Sequence, residues 1–313
     1  MHGCKVPISQ SQSPRSFGEG QGVRFNSTPI GLLIVFLFLC ATTFAQDKLA
    51  YTLFSGEGKS VDYDKMIKAL NKADIILVGE LHDNSIDHWL ELQILKDVYA
   101  KHSDVTIGME MFEADDQIVL DEYLNGTIEE KHLLSEAKVW DNYKNDYKPL
   151  IEFAKANKLK VIATNVPRRY ANLVYRKGID ALNTLPDEAK KYIAPLPFVI
   201  DLELPGYKSM ISSMGGHSTN GSAENMARSQ AVKDATMAHF ILQNKKSNFI
   251  HYHGSYHSQN FEGIYLYLKK ANPKLDIVTI HSVEQAAIDK LEDGNKKTAD
   301  FIICIPSDMT KTY

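Results

Sequence analysis

The residues best suited to chemistry follow two short apolar runs of the chain. The segment "GELH" ends in His82 and follows "IILV", and the segment "GSYH" ends in His257 and follows "NFIHYH". Each motif is a glycine, two further residues and a histidine. A glycine allows a sharp turn and a close approach to a ligand, and histidine titrates near neutral pH. The repeated pattern predicts a site for acid/base chemistry or for a divalent metal ion.

Carboxylates accompany both histidines. Glu80 lies inside the first motif, and Glu110 lies near the end of the apolar run "VTIGMEM". A single histidine of this kind more often caps a helix or forms a hydrogen bond in the core, but two at matching positions favour a function. We therefore predict Glu80, His82, Glu110 and His257 as catalytic residues or as ligands of a divalent ion, which would lower the pKa of a bound water.

The elements that position these residues alternate between strands and helices. Six continuous apolar runs predict strands covered on both faces, at residues 75–79, 105–111, 160–165, 248–254, 276–280 and 300–305. Between the first two, residues 86–100 predict a helix with Asn84 or Ser85 as its cap. Its apolar face consists of Ile86, Trp89, Leu90, Ile94 and Val98. The alternation predicts an α/β fold, a mainly parallel sheet flanked by helices.

Open parallel sheets bind ligands outside the carboxyl ends of their strands. The polar residues expected to meet there are Glu80, His82, Glu110, Asn165, Arg168, His253, His257 and His281. Residues from about 168 to 245 show no strand pattern and predict a smaller inserted helical subdomain. A second helical insertion is expected at 113–150. Within the subdomain, residues 228–241 form an amphipathic helix that either packs on the core, with Arg228, Lys233 and Asp234 in solvent, or lines the site.

Composition restricts the class of protein. The 313 residues are 44% hydrophobic and 24% charged, with a net charge of −4. These values are typical of a globular chain and argue against nucleic-acid binding. No G-x-G-x-x-G follows a strand, and the G-x-S-x-G elbow of serine hydrolases is absent. A nucleophilic Ser255 remains a minor alternative.

The N-terminal residues 1–45 predict an export leader. "IGLLIVFLFLC" has the length of a signal-peptide core, and cleavage after Ala45 fits the small residues that follow it. The alternatives are an uncleaved membrane anchor and a lipid anchor on Cys40. With Cys4 and Cys40 in the leader, Cys304 is alone in the mature chain 46–313 and is expected to be buried.

Several segments together resemble the ChaN family of haem-binding uptake proteins. They are "ILVGELHDNSIDHWLELQILKDV", "IGMEMFEADDQ", "PLIEFAKANKLKVIATNVPRRYA", "YIAPLPF", "NGSAENMARSQAVKDATMAHFI" and "HGSYHS". The resemblance extends from about Ala73 to Val283 with the segments in order. It implies a parallel α/β body with a small helical domain, related to Tiki proteases and erythromycin esterases. It also assigns Glu80, His82, Glu110 and His257 to the motif positions of that wider group.

The resemblance implies a haem-binding protein exported to the cell envelope, in the periplasm or at the outer membrane, and active in iron and haem uptake. The expected assembly is a homodimer with haem at its interface, and an outer-membrane haem receptor is a possible partner. The implied iron ligand is a tyrosine, since a phenolate suits Fe(III). Tyr207 is the candidate, with Met214 and His217 nearby and Tyr143, Tyr147 and Tyr170 as competitors. Covalent haem is excluded because C-x-x-C-H is absent.

Two other hypotheses stay open. The first is a metal-dependent hydrolase of a peptide, ester or amide, in which His82 and His257 hold the ion together with Glu80 or Glu110. The second is a binding protein for another ligand, in which the histidine and glutamate cluster no longer performs chemistry.

Overall fold

Seven strands form one sheet in the computed structural model, which describes residues 48–214 and 222–313. The strands are β1 (Thr52–Ser55), β2 (Ile75–Glu80), β3 (Thr106–Glu113), β4 (Val161–Asn165), β5 (Phe249–Gly254), β6 (Ile277–Gln285) and β7 (Phe301–Pro306). Their order across the sheet is β1-β7-β6-β2-β5-β3-β4. All six predicted strands are present, and most of their ends lie within two residues of the predicted ones, although β6 continues to Gln285. The unpredicted strand β1 is short and pairs antiparallel with β7 at the edge.

Ten α-helices accompany the sheet in the described residues. They are α1 (Tyr63–Leu70), α2 (Ser85–Lys101), α3 (Gln117–Leu124), α4 (Glu130–Glu136), α5 (Lys148–Asn157), α6 (Arg168–Lys177), α7 (Asp187–Lys190), α8 (Pro205–Met214), α9 (Ser222–Asn244) and α10 (Ile264–Ala271). One π-helical turn precedes α5 at Tyr143–Tyr147. Among the described residues, the segments 113–150 and 168–245 contain helices, and only the last residue of β3 enters them. The predicted α/β fold is confirmed.

The sheet is buried on both faces, which explains its continuous apolar strands. In β2, Ile76 and Val78 pack in a core with Leu90 and Ile94 of α2. The alternate residues of β2, Ile75 and Leu77, pack on the other face with Met237 of α9 and Leu268 of α10. Successive side chains of a strand point to opposite faces, so the carboxyl end of β2 lies between two helical layers.

Helix α2 begins as predicted and buries Leu90, Ile94 and Val98 of the predicted apolar face, but Trp89 and three polar residues depart from the prediction. The Asn84 side chain accepts hydrogen bonds from the backbone N–H groups of Ile86 and Asp87, as an N-cap does. Trp89, expected on the apolar face, is 51% exposed. Asp87, His88 and Glu91 are buried instead. That part of the prediction was wrong because the inward face of α2 carries polar side chains that meet the carboxyl end of β2.

The buried state expected for Cys304 is confirmed, since its side chain lies inside β7. Among the residues described, no helix combines the length and apolar character that crossing a bilayer requires. The predicted leader 1–45 lies outside the described residues.

Candidate functional site

His82 is oriented by two groups at the end of β2. Its Nδ1 lies 2.6 Å from Oε1 of Glu80, and the same carboxylate oxygen accepts a 2.6 Å hydrogen bond from the hydroxyl of Tyr147. Glu80 is buried, whereas the His82 side chain is 34% exposed. Burial opposes protonation of His82, but the hydrogen bond and charge of Glu80 raise its pKa above the usual value. Among the described residues, the other imidazole nitrogen, Nε2, has no hydrogen-bond partner.

The backbone of the His82 segment is held from the α2 side. The amide of Asn142 donates hydrogen bonds to the His82 carbonyl at 2.9 Å and to Asp146 at 2.8 Å. His88 Nε2 lies 3.1 Å from the same carbonyl, and its Nδ1 lies 3.0 Å from Oε2 of Glu91. All these partners are buried. The loop after β2 is therefore fixed by a polar network rather than by apolar packing.

Glu80 and Glu91 meet within this network as a carboxyl pair. Burial, followed by the charge of Glu80, raises the pKa of Glu91 well above its usual range. Burial opposes the ionisation of Glu80, but a hydrogen bond from Glu91 and one from His82 lower its pKa. Glu80 Oε2 and Glu91 Oε1 are both buried, and neither has a hydrogen-bond partner among the donor groups of the described residues. A single proton, held by Glu91 and shared with Glu80, satisfies both oxygens.

The second motif forms a chain of charges on the other face of the sheet. His257 Nδ1 lies 2.6 Å from Oδ1 of Asp234, and His257 Nε2 lies 3.2 Å from Oε1 of Glu110. All three residues are buried. Burial opposes a charge on His257, yet the charges of Glu110 and Asp234 raise its pKa to about 9. Burial also opposes ionisation of Glu110, but His257 and then Lys233 hold its pKa well below the usual range.

The two histidine motifs touch through Gly254. A Cβ atom at this position would lie 2.6 Å from Nε2 of His82, so the ring rests on the bare backbone of the second motif. The backbone N–H of Gly254 donates a 2.9 Å hydrogen bond to Glu110. Gly254 has φ −60°, so this glycine is required for the close approach and not for a left-handed turn.

The four predicted metal ligands form two pairs in this conformation, Glu80–His82 and Glu110–His257. Two groups of three or more in the described residues bring all their donor atoms within 4.8 Å of one another, Glu80–His88–Glu91 and Glu113–Asp115–Asp116. The predicted quartet is not one of them. The quartet therefore does not bring all its donor atoms within 4.8 Å of one another in this conformation, and the metal role remains a prediction.

Other predicted neighbours have partners of their own. His253 lies 2.9 Å from His251, measured between their Nδ1 atoms, and burial lowers its pKa to about 3. His281 Nδ1 lies 2.9 Å from the hydroxyl of Thr298. Ser255 donates a 3.3 Å hydrogen bond to the Ser282 carbonyl. These contacts leave Glu110, Asn165 and Arg168 as the predicted strand-end residues that share one cavity.

Tyr207, the predicted haem ligand, is 4% exposed, and its hydroxyl donates a 2.7 Å hydrogen bond to Oδ2 of Asp234. Burial and the charge of Asp234 raise its pKa, which disfavours the phenolate. Tyr256 of the second motif is partly exposed, and its hydroxyl lies 4.0 Å from Sδ of Met210. Met214 is the last residue of α8, and His217 lies outside the described residues.

Three residues of the site had no sequence signal of their own. Asp234 is 1% exposed, so the alternative that placed it in solvent was wrong and the alternative of a site-lining helix holds. Tyr147 was predicted only as a competing haem ligand, and no role was predicted for Glu91. Asp234 lies in the same helix as the apolar residues that pack on the sheet, and only the folded position of His257 reveals its role.

A cavity of about 780 Å³ opens beside Glu110 at the carboxyl edge of the sheet. Its lining includes Trp140, whose ring centroid lies 4.9 Å from that of His82. Cations from α6 and α9 also line it, including Arg168 and Lys233. The paired motifs therefore lie next to a space large enough for an organic ligand.

The fold and the two histidine motifs define an α/β protein with a polar site at the carboxyl ends of its strands. Residues 66–268 match the family described as "Haem-binding uptake, Tiki superfamily, ChaN", and the chain belongs to this family. The match covers more than half of the chain and includes both motifs, so the predicted resemblance is confirmed. A comparison with curated proteins found no match.

Solved structures share the fold. The structure of cofacial haem binding to ChaN of Campylobacter jejuni is 20% identical with a TM-score of 0.61, and the similarity covers 82% of this chain and 97% of that one. An erythromycin esterase EreC mutant is 12% identical with a TM-score of 0.46, covering 83% and 98%. The type III effector HopBA1 is 11% identical with a TM-score of 0.44, covering 78% and 92%. At these identities the first similarity supports the fold alone, and the other two carry no argument.

Proposed function

We propose that this protein binds haem on the surface around α8. A cluster of apolar side chains there is only partly buried, and it surrounds the buried Tyr207, Ala227 and Ala231. We call it the α8 surface, and its members are Ile200, Leu202, Leu204, Met210, Ile211 and Tyr256. The single observation that carries the proposal is this partly exposed apolar cluster beside two tyrosines, in a chain of the ChaN family. An apolar surface with a few placed polar groups suits a porphyrin ring.

The proposed iron ligand is a phenol of this surface. Tyr256 is the favoured phenol, because its side chain is partly exposed and its hydroxyl has a weak acceptor, the thioether of Met210 at 4.0 Å. Tyr207 becomes available when its hydrogen bond to Asp234 is exchanged for iron. Bound haem would supply an Fe(III) centre that takes a hard anionic oxygen. Met214 and His217, which follow along the chain, are proposed as neighbouring haem contacts.

A homodimer is part of the proposal. The related Campylobacter jejuni structure is of cofacial haem binding, and face-to-face haems need a surface on either side. Two copies joined through their α8 surfaces would provide them. Export to the cell envelope, with or without a lipid anchor, rests on the predicted leader, and delivery of haem from an outer-membrane receptor would make the protein a component of iron uptake.

The experiment is a haem titration of three tyrosine-to-phenylalanine variants, followed by visible absorption. Tyr256→Phe and Tyr207→Phe each remove one hydroxyl and keep the ring, while Tyr99→Phe is a matched control on α2, where Tyr99 packs against Phe153. We expect a saturable Soret band in wild type and in the control. The band should be lost or shifted in the variant that lacks the ligand. An unchanged band in both Tyr256→Phe and Tyr207→Phe would refute ligation by a tyrosine of the α8 surface.

A hydrolase is the second candidate, and one observation favours it. His257 lies between two carboxylates, and one of them, Glu110, lines the 780 Å³ cavity. His82 is held by Glu80 through its Nδ1. Such pairs of a histidine and an orienting carboxylate can hold or move a proton during attack on a peptide, ester or amide.

This second proposal is tested with Glu80→Gln and Glu110→Gln on a panel of peptide, ester and amide substrates. Each variant should reduce a measurable rate by about 100-fold or more if the pairs move protons. Purified protein without bound metal, together with equal rates for wild type and Glu80→Gln on every substrate, would exclude the hydrolase.

A further inference from the structure

The cavity beside Glu110 has features of a binding site that the haem proposal does not use. Its lining contains no residue of the α8 surface. It is built from the ends of β3 and β4 and from helices α6 and α9, with Trp140 and Val166 as apolar wall. Its volume of about 780 Å³ lies within the range of small-molecule sites.

Two cations of the cavity have no counter-charge in direct contact. Arg168 and Lys233 both line it, and among the described residues neither forms a salt bridge or a hydrogen bond. The other two cations are neutralised, because Lys138 pairs with Glu113 at 3.0 Å and Arg169 pairs with Asp115 at 2.6 Å. Arg168 and Lys233 are therefore free to bind an anion.

The acids that line the cavity form no salt bridge with these two cations, although the charge of Lys233 helps to lower the pKa of Glu110. Glu110 is occupied by His257 at 3.2 Å, and Glu113 is occupied by Lys138. The third acid, Asp141, is exposed in the turn before the π-helical turn. An anionic group near Arg168 and Lys233 would thus meet two cations and no unpaired buried carboxylate of the lining.

Asn165 supplies an independent observation. It is the last residue of β4, it is 7% exposed, and it lines the cavity. Its side-chain oxygen is buried and has no hydrogen-bond partner. A buried acceptor without a donor costs about 1–3 kcal/mol. If the amide turns towards the cavity, a ligand that carries a hydroxyl or amine beside its anionic group would satisfy this oxygen.

We propose that the cavity binds a small organic acid, with its carboxylate or phosphate on Arg168 and Lys233, a hydroxyl or amine donor on Asn165, and an apolar part against Trp140. A ligand seated in this way lies next to Glu110 and the rest of the second motif. The site is separate from the α8 surface, and it exists whether or not the protein binds haem.

Calorimetric titration of haem-free protein with three probes tests the proposal. Inorganic phosphate provides the anion alone, phenylacetate adds an aromatic ring, and mandelate adds a hydroxyl to phenylacetate. We expect mandelate to bind more tightly than phenylacetate by about tenfold, the equivalent of one hydrogen bond. Arg168→Gln and Lys233→Gln should each weaken mandelate binding by about tenfold or more. Asn165→Ala should remove the preference for mandelate.

The matched control is Lys177→Gln, which removes an exposed cation from the same helix as Arg168 but outside the cavity. It should leave all three affinities within about twofold. Absence of binding by every probe at millimolar concentration would overturn the proposal. So would mandelate binding that Lys177→Gln weakens as much as Arg168→Gln does. Arg168→Gln should still bind haem, which would show that weaker mandelate binding in this variant is independent of the haem site proposed at the α8 surface.

Discussion

Asp234 and His257 form a buried pair in which Oδ1 of the carboxylate lies 2.6 Å from Nδ1 of the imidazole. The aspartate comes from α9 and the histidine from the turn after β5. The contact points His257 Nε2 towards Glu110, at 3.2 Å. Because the other aspartate oxygen accepts the Tyr207 hydroxyl at 2.7 Å, this pair also connects the second histidine motif with the α8 surface.

Replacement of Asp234 should lower the pKa of His257. Glu110 and Asp234 together raise this pKa to about 9 against the opposing effect of burial. Asp234→Asn removes one of the two charges but keeps the shape, so the pKa should fall by about one unit or more. The measurement is an NMR titration of the histidine ring protons. Asp187→Asn, at a fully exposed carboxylate, should leave the His257 titration curve unchanged. An unchanged His257 curve in Asp234→Asn would contradict the role of Asp234 in raising this pKa.

Stability should fall with rising pH through this same histidine. An unfolded histidine has a pKa near 6.5, and folded His257 has a pKa of about 9. Between about pH 6.5 and pH 9, His257 therefore keeps a proton in the folded state that it has released in the unfolded state. The contribution of His257, on the order of 3 kcal/mol, is complete below about pH 6.5 and is lost as the pH rises through about 9.

Urea unfolding at about pH 6 and about pH 9.5 measures this contribution. His257→Gln leaves Glu110 and Asp234 without their cation and should be less stable at both values. Its loss of unfolding free energy between the two pH values should nevertheless be smaller than in wild type. An equal loss in both proteins would mean that the folded pKa of His257 is not raised.

The carboxyl pair beside His82 predicts unequal costs for two similar substitutions. Glu91 holds the shared proton, because burial and the charge of Glu80 raise its pKa. Glu91→Gln replaces one donor by another and should cost less than about 1 kcal/mol. Glu80→Gln weakens the acceptor of both His82 and Tyr147 and should cost about 2–4 kcal/mol. Urea unfolding at neutral pH gives both values, and the reverse order would place the proton on Glu80.

The contact between the motifs predicts a local effect at Gly254. A methyl group there would lie 2.6 Å from His82 Nε2, so Gly254→Ala should push the ring away from Glu80. The pKa of His82, which the Glu80 contact raises, should then fall towards about 6.5, at a cost in stability of about 1–3 kcal/mol. Gly294→Ala, where nothing lies within 4 Å of an added Cβ, is the control. An unchanged His82 titration in Gly254→Ala would disprove the contact.

Sequence patterns predicted the body of the fold because the sheet is buried on both faces. A short apolar run such as "IILV" in β2 is typical of a strand that is covered on both faces, because it is too short for a buried helix and is flanked by helical segments. The edge strand β1 has only four residues and pairs antiparallel with β7. So short an element has too little periodicity to be recognised.

The site was predictable only where a residue stands at a strand end. Glu80, His82, Glu110 and His257 all do, and the structure joins them as two pairs. Glu91 and Asp234 stand inside helices, where charged residues usually face solvent. The partner of Glu91 is Glu80, 11 residues away, and the partner of Asp234 is His257, 23 residues away. Both partners belong to another element, so no local sequence pattern indicates that these two residues are buried.

The measurement that most directly tests the central claim is a haem titration of the purified wild-type protein, with trace-metal analysis of the same sample. The proposed function predicts a saturable Soret shift whether or not a metal is found. Absence of any shift, with about one equivalent of manganese, zinc or iron that disappears in His82→Ala, would contradict haem binding and favour the hydrolase.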